Sequence, residues 1–258
     1  MKTIVLIVSY DGTPFCGWQR QEGQKSIQGC LEKVLTRMHG GRMTEVRGAS
    51  RTDAGVHAEW QVAAFDTDRD YAPERWVQAI NAQTPPEIYI REAREAPFGY
   101  HPRFAKKGKC YRYWICEGRF LPPTLLNRAM LSRPLDVAKM REAAQYLLGV
   151  HDFSSFRAID CQAKSPIRTL TRIEICRIPY PFAYPEFGHE SEGLLQIDVE
   201  GTAFLKQMVR ILVGTLVEFG LGRDPAEMET ILEAKNRQCA GETAPACGLT
   251  LIRSLEES

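Results

Sequence analysis

One short segment, from Arg51 to His57, places a carboxylate between an arginine and a glycine turn. The segment follows a β-like run, and a rigid strand fixes the loop after it while leaving that loop open to substrate. Asp53 is therefore a candidate catalytic carboxylate. The alternative is that Asp53 is a turn or helix-cap residue, because an aspartate before small residues often bonds its own backbone.

Arg210 is a second candidate, because it lies within the apolar run Met208–Val213. A cation in such a run needs a carboxylate partner, since an unpaired buried charge is costly. If that partner is Asp53, the cation keeps the carboxylate ionised and oriented. The alternatives are that Arg210 extends to the surface or pairs with some other acid.

The run from His101 to Arg112 contains five cations, no acidic residue and interleaved aromatic rings. Tyr111 and Tyr113 are two residues apart in a predicted strand, so both rings lie on one face. Such a surface suits RNA, because cations hold phosphates and a ring can stack on an unpaired base. An ordinary solvated face over core tyrosines is the alternative. The five cations are Arg103, Lys106, Lys107, Lys109 and Arg112.

The composition places the chain among ordinary globular proteins. It has 258 residues, 44% hydrophobic and 25% charged, which excludes disordered and fibrous classes and allows one or two domains. A net charge of +1 means that a nucleic-acid partner must be held by local basic patches. Eight cysteines without a C-x₂-C pair predict reduced thiols in a cytoplasmic protein. No apolar run approaches the ~20 residues that span a bilayer, so no membrane association is expected.

Hydrophobic periodicity predicts the same order of elements twice. In the first half, strands are predicted near 2–9, 43–49, 60–66 and 87–95, with helices after Ser26 and from Pro73. In the second half, strands are predicted near 109–117, 169–178, 193–200 and 249–252, with helices after Asp136, over Phe204–Phe219 and from Asp224.

This repeated order predicts an α+β fold of two ferredoxin-like, split βαβ units, each RRM-like with an antiparallel sheet. We expect domains over 1–104 and 105–258, with a central cleft between the sheets as the natural place for a site. The first domain would carry the Asp53 loop, and the second would carry Tyr111 and Arg210.

Further motifs accompany these residues in order along the chain. They are Tyr10-Asp11-Gly12, Gly17-Trp18-Gln19-Arg20, Arg51–His57, Gln61-Val62, Arg103-Phe104, Tyr111-Arg112-Tyr113, His151–Arg157, Phe204 with Met208-Val209-Arg210, and Gly248-Leu249. Over nearly its full length the chain resembles the TruA family of tRNA pseudouridine synthases.

The resemblance implies the pseudouridine synthase fold and a homodimeric, cofactor-free isomerase. It implies conversion of uridine to pseudouridine at positions 38, 39 and 40 of the tRNA anticodon stem-loop. Asp53 aligns with the catalytic aspartate, Tyr111 with the tyrosine that stacks on the target base, and Arg210 with the basic partner of the aspartate. Arg51 aligns with an arginine linked to opening the target nucleotide. We expect further substrate contacts from Arg20, Arg103, Lys109 and Arg112.

The reaction agrees with these residue types. The enzyme must break the N1–C1′ bond, turn the uracil and rejoin it through C5, which requires a carboxylate near ribose and base. Whether Asp53 bonds to C1′, adds to C6 or removes a ribose proton is open. Ser50 and Trp60 depart from the family, whose members commonly carry glycine or a small residue there.

The main alternative is a non-catalytic RNA-binding protein of two RRM-like units, which needs only the basic and aromatic surface. An aspartyl-phosphate phosphatase is rejected, because Ser9 stands where the nucleophilic aspartate before Asp11-Gly12-Thr13 would lie. A metal-dependent hydrolase is poorly supported, since the five histidines show no ligand spacing.

Overall fold

The computed structural model describes residues 1–104, 108–179 and 193–255. The chain forms two compact units, one from Met1 to Lys109 together with the segment from Thr250, and one from Cys110 to Leu249. The domain limits 1–104 and 105–258 stay a prediction. Lys106 and Lys107 lie outside the described residues, as does the Pro/Tyr-rich segment 179–187 from residue 180 onwards.

The first unit contains five strands and two helices among the described residues. They are β1 (Lys2–Tyr10), α1 (Ile27–Met38), β2 (Arg47–Gly48), β3 (His57–Thr67), α2 (Pro73–Asn81), β4 (Ile88–Ala96) and β10 (Leu249–Leu255). The first four strands have the order β4-β1-β3-β2 with antiparallel neighbours, which is the ferredoxin-like arrangement. Strand β10 runs parallel to β3, where it is paired with the first two residues, His57 and Ala58.

The sequence explains these elements directly. Strand β1 is buried over Ile4–Val8, so it is the central strand that its continuous apolar run predicts. Helix α1 begins after Ser26, whose hydroxyl accepts a hydrogen bond from Gly29 N at 3.2 Å, and it buries Leu31 and Leu35 completely. The predicted α+β class is confirmed.

The pairing of β1 with β3 positions the candidate site. Tyr10, the last residue of β1, is paired with Ala58 near the start of β3. The loop that leaves β1 therefore lies beside the loop that enters β3, and the second of these loops contains Asp53.

The second unit has five strands and three α-helices among the described residues. They are β5 (Gly108–Glu117), β6 (Met130–Ser132), α3 (Val137–Gln145), β7 (Gly149–Asp152), β8 (Ile167–Ile178), β9 (Leu194–Gly201), α4 (Met208–Gly220) and α5 (Glu227–Ala234). The strand order is β5-β9-β8-β7, and β6 pairs with β5 in parallel. Strand β8 is antiparallel to both neighbours.

Several predicted boundaries are wrong. The strand predicted over 43–49 is reduced to Arg47–Gly48. Apolar spacing predicts that the helix after Asp136 includes Leu147 and Leu148, but α3 ends at Gln145 and Leu147 is buried from the turn that follows. The short strands β6 and β7 were not predicted, because three or four residues carry too little periodicity.

Helix α4, which contains Arg210, begins later than predicted. The helix begins at Met208 rather than at Phe204, because Gln207 adopts a left-handed conformation with φ of 58°. A non-glycine residue in this region stores strain that the surrounding structure must offset. Helix α5 likewise begins at Glu227, after a turn in which the Asp224 carboxylate accepts from Ala226 N at 3.1 Å.

Candidate active site

Asp53 occupies the first position of a tight turn that leads into β3. Its carbonyl oxygen accepts a hydrogen bond from Val56 N at 3.2 Å, and Gly55 has φ of 76°. The Asp53 side chain is half-buried, and Ala54 at the tip is exposed. Asp53 is therefore a turn residue, as one of the two sequence interpretations predicts. This position does not exclude the other interpretation, a catalytic carboxylate, because the side chain extends from the turn.

Both sides of Asp53 are tied to the loop that follows β1. Thr52 is buried, its hydroxyl lies 2.8 Å from the Tyr10 hydroxyl, and its carbonyl accepts from Trp18 N at 3.1 Å. Gly55 N donates to Phe15 O at 3.3 Å. The turn is therefore held by three hydrogen bonds to one neighbouring segment, which restricts where the carboxylate can lie.

The two loops approach so closely that side chains are excluded at two positions. A Cβ atom on Gly12 would lie 2.0 Å from Val56 O, and one on Gly17 would lie 2.5 Å from Thr52 O. Backbone oxygens cannot move aside as a flexible side chain can. Glycine at both positions is consequently a requirement of the loop contact.

His57 links the turn to the end of β1. Its buried ring accepts a hydrogen bond from Gly12 N at Nδ1, at 3.1 Å. Asp11 Oδ1 lies 3.2 Å from the same nitrogen and accepts from Thr13 N at 2.9 Å and Thr13 Oγ1 at 2.6 Å. Through these contacts His57 is a positioning residue for the turn.

The residues before and after the turn have different environments. Arg51 is exposed directly beside the buried Thr52. Ser50 is buried, with its carbonyl accepting from Gln61 Nε2 at 2.7 Å, whereas the Trp60 ring is 38% exposed. Both departures from the family pattern therefore flank the turn without entering it.

Tyr111 lies in the second unit, on β5. Its side chain is buried, and its ring packs edge-to-face against Phe204 with centroids 5.1 Å apart. Phe204 belongs to the segment between β9 and α4. This contact gives the Tyr111 ring a fixed orientation, which an aromatic platform for a base requires.

Arg210 lies in the first turn of α4 and is half-buried. Its Nε donates to Ala244 O at 2.8 Å, and Ala244 N donates to Arg210 O at 3.1 Å. This reciprocal pair of hydrogen bonds holds the Arg210 side chain and backbone against Ala244.

Tyr113 shows the electrostatic environment around Arg210. Burial raises the pKa of Tyr113 far above its ordinary value, and the Arg210 charge opposes part of that rise. The Tyr113 hydroxyl donates to Pro245 O at 2.8 Å. Tyr113 is therefore a neutral core residue that borders the Arg210 charge.

The predicted RNA-contacting cations divide into two kinds. Arg51, Arg20 and Arg103 are exposed. Arg112 instead forms a bidentate ion pair with the buried Asp198, with both N–O distances 2.7 Å. Removing Arg112 would leave a buried carboxylate unpaired, so this arginine has a structural role whatever its part in binding.

Lys109 has an unusual proton affinity for a lysine. Burial, with a smaller contribution from the Arg103 charge, lowers the pKa of Lys109 to about 8. Its ammonium group therefore loses its proton near pH 8, and a bound anion would favour the charged form.

The sequence motifs contain Tyr10, Thr52 and Phe204 but do not show what these residues contact, and Ala244 lies in no motif. Thr52 and Tyr10 meet through their hydroxyls, Phe204 packs edge-to-face on Tyr111, and Ala244 bonds Arg210 through its backbone. Among the described residues, no group of three His, Cys, Asp or Glu side chains could hold a metal ion. In the same part of the chain, no helix has the length and apolarity to cross a membrane.

A pair of substitutions tests the role of His57. We expect His57→Ala to lower the free energy of unfolding by about 1–3 kcal/mol, because Gly12 N loses its buried acceptor. His57→Asn should retain most of the stability, since its amide oxygen can accept from Gly12 N. Thermal and urea unfolding measure both, and equal losses in the two variants would contradict the acceptor role.

Comparison with known proteins identifies the relatives of this chain. The family model described as tRNA pseudouridine synthase matches residues 6–105 and 143–254. The tRNA pseudouridine synthase A of Acetivibrio thermocellus is 39% identical over 254 residues, covering 98% of each chain. That of Shouchella clausii is 42% identical over 253 residues, covering 97% of this chain and 92% of the relative.

The chain also matches a solved structure titled "Crystal Structure of a Cbf5-Nop10-Gar1 Complex", with 12% identity and a TM-score of 0.40. The match covers 99% of this chain and 50% of that one, and a likeness this distant carries no argument. The family model and the full-length relatives decide the matter: this chain belongs to the tRNA pseudouridine synthases, the isomerases that convert uridine to pseudouridine in tRNA.

Proposed function

We propose that this protein converts uridines at positions 38, 39 and 40 of the tRNA anticodon stem-loop to pseudouridine, with Asp53 as the catalytic carboxylate. The observation that carries the proposal is the fixed turn around Asp53, in which Thr52 and Gly55 are both bonded to the loop after β1. A carboxylate held in this way is preorganised for a reacting centre and does not have to be ordered when substrate binds.

The reaction is an isomerisation, so atoms and electrons balance without a further reactant. The N1–C1′ bond breaks, the uracil turns and a C5–C1′ bond forms. The C5 hydrogen leaves as a proton, and N1 takes up a proton, so the product is an isomer of the substrate. The carboxylate acts near C1′ and C6, and the site must retain the detached uracil between the two bond changes.

Tyr111 is proposed as the platform for the target base and as a group placed to help remove the C5 proton. The support is its fixed ring on β5, packed against Phe204. Base stacking on an aromatic ring contributes ~1–3 kcal/mol, which is enough to favour retention of the uracil.

Arg210 is proposed as the cation that keeps the Asp53 carboxylate ionised and oriented. The support is its fixed stem at Ala244 and its place in the first turn of an otherwise apolar helix. Arg51, exposed next to the turn, is proposed to assist opening of the target nucleotide, a step that costs a few kcal/mol of unstacking energy.

Arg20, Arg103, Lys109 and Arg112 are proposed as substrate contacts. Arg20 and Arg103 are exposed and suited to phosphate binding. Arg112 already neutralises Asp198, so only its remaining donor capacity would serve the RNA. The enzyme is also proposed to act in the cytoplasm as a homodimer, which the particle mass from light scattering tests.

The first prediction concerns Asp53. With tRNA tritiated at uridine C5, we expect wild-type protein to release tritium and Asp53→Ala to lose at least about 10³-fold in rate, because the reacting carboxylate is gone. Asp70→Ala is the matched control, since it removes an equal charge from an exposed side chain of the same unit. Comparable rates for wild type and Asp53→Ala would refute the assignment.

The second prediction concerns Arg210. Arg210→Ala should reduce single-turnover release by about 10²-fold or more while tRNA binding stays measurable, because the cation acts on the carboxylate. In this proposal the cation favours the ionised carboxylate, so without it the acidic limb of the pH–rate profile should move to higher pH. Arg223→Ala is the control, since it removes a half-buried cation of the same unit that pairs with Glu218 and Glu227. An unchanged pH profile with wild-type rate would contradict the pairing.

The third prediction concerns Lys109, whose pKa in the folded protein is about 8. If Lys109 binds a phosphate, RNA binding takes up a proton, and affinity should fall by up to about tenfold per pH unit above pH 8. Lys109→Arg stays charged and Lys109→Met stays neutral, so both should lack this dependence. The measurement is anticodon stem-loop affinity from pH 7 to 10 at constant ionic strength, and identical profiles for all three proteins would exclude the contact.

The pH dependence of folding stability has the opposite sign from the pH dependence of RNA affinity. Because the folded pKa of Lys109 is lowered, the unfolded chain binds the extra proton between about pH 8 and the ordinary lysine value of 10.5. The contribution of Lys109 to folding stability therefore rises with pH through that window. Unfolding of wild type and Lys109→Met over the same pH range separates this effect from RNA binding.

A further inference from the structure

A second basic site lies on α1, apart from the Asp53 turn. An open groove of about 400 Å³ runs along this helix and is lined by Arg20, Lys33 and Arg37. Glu32 lines its buried side, and Met43, which is largely exposed, forms an apolar wall.

The three cations form a row. Gly29, Lys33 and Arg37 are each four residues apart, so they lie on one face of α1 about one turn, or ~5.4 Å, from each other. Gly29 contributes no side chain, and Arg20 takes its place, with Cγ 3.8 Å from where a Cβ atom of Gly29 would lie. Arg20 from the loop therefore continues the row of cations that Lys33 and Arg37 form on α1.

The acid in the groove is used by the protein itself. Glu32 is buried, and its Oε1 accepts from Gln28 Nε2 at 3.0 Å and from Val46 N at 3.1 Å. Its Oε2 lies 3.0 Å from Arg20 Nη1. The acid therefore orients Arg20, whose side chain remains 52% exposed.

Lys33 and Arg37 differ from Arg20, which is paired with Glu32. Both are exposed, and within residues 1–104, 108–179 and 193–255 neither has an acidic partner. Three cations and one carboxylate leave the groove with an excess of two positive charges. A row of cations with one buried acid suits a polyanionic backbone rather than a single small anion.

The groove is connected to the Asp53 turn by two residues of chain. Trp18 N donates to Thr52 O at 3.1 Å, and Arg20 N donates to Gln28 Oε1 at 2.9 Å. Two extended residues span at most ~7 Å. An RNA whose nucleotide is held at the turn can therefore place neighbouring phosphates along α1.

We propose that the groove binds the phosphodiester backbone of the tRNA substrate through Arg20, Lys33 and Arg37. The inference rests on the proposed function for the identity of the RNA. The groove contributes affinity and register, not chemistry, because phosphate contacts position a nucleic acid without taking part in the reaction.

The experiment compares two double variants with equal charge change. Lys33→Gln/Arg37→Gln removes groove cations, and Arg69→Gln/Arg75→Gln removes exposed cations elsewhere in the first unit. Affinity for unmodified tRNA is measured by fluorescence anisotropy over a salt series. The groove variant should bind about tenfold more weakly at low salt, and the slope of log K against log salt should fall by about 1–2. The control variant should match wild type.

Two further measurements keep binding, folding and chemistry apart. Arg37 also complements the dipole of α1 in its last turn, so thermal unfolding checks that the groove variant is folded. Single-turnover tritium release at saturating enzyme should be unchanged in the groove variant. Unchanged affinity of the groove variant, or equal losses in both double variants, would overturn the groove proposal. Tritium release by the wild-type protein would still support the proposed reaction. A groove-dependent affinity without tritium release in wild type would support the groove and overturn the proposed reaction.

Discussion

The contact between two loop backbones in the first unit is the constraint on which the candidate site depends. The loop after β1 and the turn before β3 meet because Tyr10 is paired with Ala58. At Gly12 and Gly17 the backbones approach closer than any Cβ atom permits. With no side chain between the loops, the position of Asp53 follows from main-chain geometry and is protected from rearrangement of neighbouring side chains.

The second unit fixes its candidate residues by a different device. Gln207 takes the left-handed conformation and starts α4 abruptly, which places Arg210 in the first turn. The reciprocal hydrogen bonds with Ala244 then hold the arginine at its stem. Strain at one residue is thus coupled to the placement of a cation, a pattern that is common where a side chain must be held for function.

The parts of the structure that local sequence determines were predictable. Ser26 and the apolar spacing of α1 gave that helix, and the continuous apolar run gave β1. The strand predicted over 43–49 was too long, because the sequence of this segment does not show that only Arg47 and Gly48 pair with β3. The start of α4 failed because apolar residues continue upstream of Gln207, so hydrophobicity does not mark the change of backbone conformation.

The candidate site likewise combines residues that local sequence identifies with contacts that only the tertiary structure shows. A compact motif singles out Asp53, but the Thr52–Tyr10 contact joins residues 42 positions apart and has no local signal. Arg112 was grouped with RNA-binding cations because it lies in an acid-free run. The sequence does not reveal that Asp198, 86 residues later, is buried opposite it. Which cations are already paired is a property of the tertiary structure.

That property explains how a chain of nearly balanced charge can bind a polyanion. With 33 lysines and arginines against 32 acids, the net charge offers no general attraction. Many cations are neutralised locally, as Arg47 is by Asp66, whose carboxyl pKa the guanidinium holds below its ordinary value. Lys33 and Arg37 are exposed and lack an acidic partner in the described chain, so they add little to stability and stay available to phosphate. Binding then follows the arrangement of unpaired cations rather than their total number.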